Sequence, residues 1–142
     1  MDNDEKQIRH LEMIQGVINR LAGNSFAMKG WSVTLVSALI AIAVDKSDRR
    51  FAFAALLPSI IFWILDGYFL WQERLFRSLF DAVRLDHKSK PEDFFTMNTS
   101  PYLKSTSSWF QTTFVIGKKP NTLLCFYGAV VLSVLIAAKL LQ

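Results

Sequence analysis

The strongest constraint on this chain is a pair of long apolar blocks joined by six polar residues. The blocks are FAMKGWSVTLVSALIAIAV, residues 26–44, and FAFAALLPSIIFWILDGYFLW, residues 51–71; the joint is DKSDRR, residues 45–50. A helix of roughly 20 mainly apolar residues crosses a bilayer core. Both blocks meet that length, and so short a joint makes them antiparallel neighbours. A third block, TLLCFYGAVVLSVLIAA at 122–138, is just long enough to cross. Three such blocks in 142 residues argue against the core of a soluble helical protein. The expected fold is all-α: one integral membrane domain with three transmembrane helices.

Charge suggests an orientation. The chain carries a net +4, and its basic residues flank the apolar blocks, as suits anionic lipid headgroups better than nucleic acid. Lys6, Arg9, Arg20 and Lys29 fall on the same side as Arg74, Arg77, Arg84, Lys88, Lys90, Lys104, Lys118 and Lys119. The other side holds Lys46, Arg49, Arg50 and Lys139. The positive-inside rule makes the richer side cytoplasmic. The N-terminus and the 87–121 loop are then inside, and the DKSDRR turn outside. The opening MDNDEKQIRH is acidic and lacks an early apolar core, so it does not read as a signal peptide.

The helical pattern outruns the membrane. Leu11, Ile14, Ile18, Leu21, Ser25, Met28, Ser32, Leu35, Leu39 and Ile42 alternate spacings of three and four, the seam of a left-handed helix pair. After the second span, Leu75, Phe76, Leu79, Phe80 and Val83 share one helix face. Helix 1 is expected over 5–44, with its span at 26–44, and helix 2 over 51–86, with its span at 51–71. Together they form a long hairpin that continues into the cytoplasm. Gly16, Gly23 and Gly30 recur every seven residues and suggest close helix approach. Ala129, Ser133 and Ala137, with Gly128 adjacent, repeat the small-residue spacing in the third span. They suit docking on the hairpin or on a neighbouring subunit. Pro58 removes a backbone hydrogen bond and predicts a kink in helix 2.

Asp66 is the residue that most needs a reason, because a carboxylate within a span is costly. With the turn centred between Lys46 and Asp48, Asp66 faces Lys29, Asp86 lies near Arg9 and Glu12 near Arg84. Structural pairing with Lys29 is one reading; an ion path in an oligomer is the other. The same register sets His10 near His87 at the hairpin's far end, read as a solvated pair in preference to a pH-sensitive contact. Residues 108–116, SWFQTTFVI, read as an interfacial segment. The preceding EDFFTMNTSPY suits an ordered loop or an intersubunit strand.

No catalytic constellation is evident, and neither metal-ligand spacing nor a phosphate-binding glycine loop is present. The single cysteine, Cys125, allows no intramolecular disulfide. Neither an enzyme nor a cofactor is expected.

The phrases RLAGNSFAMKGWSVTLVSALIAIAVDKSDRRFAFAALLP and DGYFLWQERLFRSLFDAVR resemble small bacterial membrane proteins of the SLATT-type and other two-span effectors of anti-phage defence. The likeness is one of topology over about residues 5–86, from which the third span departs. It implies an inner-membrane homo-oligomer that compromises the bilayer when a partner senses infection, and it carries over no functional residue. The alternative is a non-conducting anchor or scaffold whose cytoplasmic helices bind a soluble protein.

Overall fold

The computed structural model describes residues 2–85, 95–114 and 122–141. All regular elements within them are helical: α1 (Asn3–Lys46), α2 (Arg49–Ala54), α3 (Leu56–Leu85), a 3₁₀ turn (Ser100–Tyr102), α4 (Trp109–Phe114) and α5 (Thr122–Leu140). Three helical stretches are long and apolar enough to cross a membrane: α1, the Arg49–Leu85 stretch and α5. They suggest a multi-pass membrane protein.

Local chemistry sets the helix ends. Asp2 caps α1 by accepting from the Asn3 amide at 2.7 Å, and Asp4 and Glu5 lie in the first turn, where negative charge suits the helix dipole. Ser47 ends α1 in the left-handed region at φ 50. Asp48 then accepts from the Arg50 amide at 2.9 Å and starts α2. The reversal therefore fits inside the DKSDRR joint.

The second arm is interrupted at Ala55, between α2 and α3. Pro58 has no amide hydrogen for the carbonyl four residues earlier and crowds that turn. The Ala55 amide turns back to the Ala52 carbonyl at 3.1 Å instead. The Ser59 hydroxyl donates to the Ala55 carbonyl at 2.7 Å.

α1 packs antiparallel along α3, and this is the principal contact of the molecule. On α1, the buried seam is His10, Ile14, Ile18, Ser25, Ser32, Val36 and Ala43. The expected stripe is right at Ile14, Ile18, Ser25 and Ser32 but fails at Leu35 and Ile42, which are exposed. A near-straight helix turns every 3.6 residues, so a strict 3.5 repeat drifts off the seam by one position over the span. α5 closes a third side with Leu123, Tyr127, Val134 and Ala138.

The core has three levels. Ala43, Ala52 and Ala138 meet near the turn. Val36, Ala55 and Val134 form the middle. Ile14, Ile18 and Leu79 pack in the stem, the part of the hairpin beyond the spans, under Phe76, Phe80, Val83, Met97 and Tyr102. Met97 and Tyr102 belong to the segment 95–114, which returns along the stem as a strap.

Candidate functional site

Asp66 sits on the face of α3 that meets α1. Ser25 and Lys29 occupy the facing turn of α1, four residues apart and so on one side of the helix. The Ser25 hydroxyl donates to Asp66 Oδ1. Lys29 Nζ lies 2.5 Å from Asp66 Oδ2 and 3.0 Å from Ser25 Oγ. Asp66 is wholly buried, whereas the Lys29 side chain is 27% exposed. The long lysine thus brings its charge to the carboxylate while part of its stem stays at the surface.

The third span completes the site. Tyr127 on α5 is fully buried. Its hydroxyl donates to the Phe62 carbonyl at 3.3 Å and also interacts with the Asp66 carboxylate. The Tyr127 ring stacks on Trp63 with centroids 6.0 Å apart and planes 7° apart. The three long helices therefore each bring a polar group to the level of this carboxylate. A lone charge in hydrocarbon is costly, and the Lys29 cation with the Ser25 hydroxyl reduces that cost. The arrangement neutralises and holds Asp66. Among the described residues, no three His, Cys, Asp or Glu side chains cluster as metal ligands.

The other expected contacts fall differently. Arg84 pairs with Asp81 at 3.3 Å, and no Arg84–Glu12 ion pair forms among the described residues. Arg9 lies 3.7 Å from Glu5; Asp86 is outside the described residues. These side chains are exposed, where an ion pair contributes little and a neighbour on the same helix is the easier partner.

Gly16, Gly23 and Gly30 have nothing within 4 Å of where a Cβ would stand, and neither does Gly128. Among the described residues they do not serve helix approach, because their face of α1 points away from α3. Ala129 and Ser133 are exposed and Ala137 is half-buried. α5 docks instead through the larger Tyr127, Leu123 and Val134. Ala129 and Ser133 line a shallow groove of about 270 Å³, shared with Val33, Ser37 and Ile40 of α1.

The solvated-histidine reading is corrected at His10, which is 1% exposed. His10 Nε2 is 2.8 Å from the Thr96 carbonyl, to which it donates, and its ring lies 6.0 Å from that of Phe95. His87 lies outside the described residues. Of the interfacial segment 108–116, residues 109–114 form α4 and dock on α3 with Thr112 and Thr113 buried; 115–116 lie outside the described residues.

Sequence reasoning missed Ser25, Tyr127, Gly67 and the strap as parts of this region. Ser25 was legible as a small polar residue one helical turn from Lys29. A glycine directly after the intramembrane Asp66 was the available signal for a close approach. No protein family model, curated protein or solved structure matches this chain.

Proposed function

We propose that this chain is a bacterial inner-membrane protein that associates with copies of itself and, once associated, perturbs or perforates the bilayer in anti-phage defence. The stem would be cytoplasmic and the DKSDRR turn outside. What supports association is the uncovered surface of a single copy. Only 17%, 22% and 22% of the residues in the three most apolar span windows are buried. Gly16, Gly23 and Gly30 also line a face with no neighbour among the described residues; Gly30 lies within the span, where small residues make close helix contacts. The resemblance to two-span effectors points the same way.

Asp66 has a restricted part in this reading. Its carboxylate is satisfied inside one copy, so a conducting path would run between copies rather than past Asp66. The test is induced expression in a bacterium with a membrane-potential dye, with particle size measured in nanodiscs. Rapid depolarisation and a multimeric particle are expected. A monomeric particle in polarised, healthy cells would overturn the reading.

The second reading is a non-conducting anchor whose stem binds a soluble protein. It is favoured by the closed Lys29–Asp66 pair, which needs no second copy. Full polarisation together with recovery of a stoichiometric soluble partner on the stem would select it.

A further inference from the structure

The strap meets the hairpin at points spread along its whole length. Thr96 accepts from His10. The Ser78 and Thr106 hydroxyls are 3.3 Å apart. Arg74 donates to Thr112 Oγ1 at 3.2 Å. Trp63 Nε1 donates to the Thr113 carbonyl at 3.2 Å, and Phe114 lies against the Trp63 ring with centroids 5.4 Å apart. The tightest point is Gly67. A Cβ there would stand 2.7 Å from Thr113 Cγ2 and 2.9 Å from Thr113 Cβ, and would also collide with Oγ1. Thr113 therefore fills a notch that only glycine leaves open.

The position of this notch matters because Gly67 follows Asp66 directly. Trp63, also held by the strap, stacks on the Tyr127 ring whose hydroxyl interacts with Asp66. Lifting the strap would uncover Gly67 and the Trp63 edge beside a carboxylate that now meets no solvent. The strap is also built to lift before the hairpin opens. α4 has six residues, too few to stand alone as a helix. Leu103 and Phe110 remain exposed. A segment with few buried apolar contacts opens locally ahead of the global fold.

We propose that the strap, residues 95–114, is a movable cover on the hairpin. Thr113 seated on Gly67 is its catch, and its position sets the access of water to the Lys29–Asp66 pair from the stem side. The proposal does not depend on whether copies associate or conduct.

The test is amide hydrogen exchange of the full chain in nanodiscs, read by mass spectrometry. It is combined with modification of accessible carboxylates by a water-soluble carbodiimide and an amine. In the unaltered chain, residues 109–114 and the Asp66 side chain are protected. Gly67→Ala is expected to speed exchange at 109–114 by about tenfold, the signature of local opening, and to make Asp66 modifiable. Residues 30–44 stay protected. In a Thr113→Gly background, the same Gly67→Ala change has no further effect, because the colliding atoms are gone. Trp63→Phe removes the bond to the Thr113 carbonyl without touching the notch, and opens the strap to a smaller degree. The proposal is overturned if Asp66 stays unmodified while 109–114 exchanges faster. It is equally overturned if 30–44 loses protection together with the strap in both Gly67→Ala and Trp63→Phe.

Discussion

The two ends of the bundle are built on opposite principles. Near the turn, Ala43, Ala52 and Ala138 bring three helices together with small apolar side chains. Towards the stem, α1, α3 and α5 meet through Ser25, Lys29, Asp66 and Tyr127, with Thr112 and Thr113 buried alongside. Close packing of alanines tolerates little added volume but involves no charge. The polar end depends on each group keeping its partner, since a half-satisfied buried network is worse than an apolar one. Added volume should therefore damage the first end, and lost partners the second.

The largest effect is expected from Lys29→Ala. It strands the wholly buried carboxylate and should cost about 3–5 kcal/mol, read as a lower midpoint of thermal unfolding in detergent; Asp66→Ala should cost less, because the partly exposed Lys29 can turn outward. The double variant should recover part of that loss. Equal losses for the single and double variants would show that the pair is not the unit of stability. Ser25→Ala comes next. It removes a hydrogen bond to a charged group and should cost about 1.5–3 kcal/mol by the same melting measurement, with Lys29 intact.

At the turn end, Ala52→Leu should cost about 1–3 kcal/mol by overpacking. The matching insertion on the outer face, Ala41→Leu, should be near neutral in denaturant titration. If Ala52→Leu is also neutral, the alanine end is looser than its burial implies. The smallest effect is a gain. Gly16→Ala and Gly23→Ala meet open space and should each add about 0.5–1 kcal/mol of helix stability. A shift to smaller particles in the same samples would show that this face serves association.

The two ends were also unequally legible in the sequence. The hairpin, its turn and the Lys29–Asp66 juxtaposition followed from block lengths and from one carboxylate in an apolar run. The seam was legible until the 3.5 repeat and the true helical turn parted near Leu35. The docking of the strap was not legible, although its two halves read as an ordered loop or intersubunit strand and an interfacial segment. The strap docks through threonines and one notch rather than an apolar period, and its partners lie far off in sequence, from His10–Thr96 to Trp63–Thr113. His10 looked solvated because nothing nearby in sequence covers it. The cover comes from a segment whose own composition reads as loop.

One asymmetry has a mechanical consequence. α1 runs unbroken for 44 residues, a rod on the order of 65 Å at 1.5 Å per residue, while its partner arm is severed at Ala55. The hairpin is therefore a mast beside a jointed spar. The joint falls at the middle level, where Ala55 packs with Val36 and Val134, so a bend of the second arm is absorbed there rather than in α1. The Lys29–Asp66 level lies on the long side of the joint, on the same continuous helix as the stem.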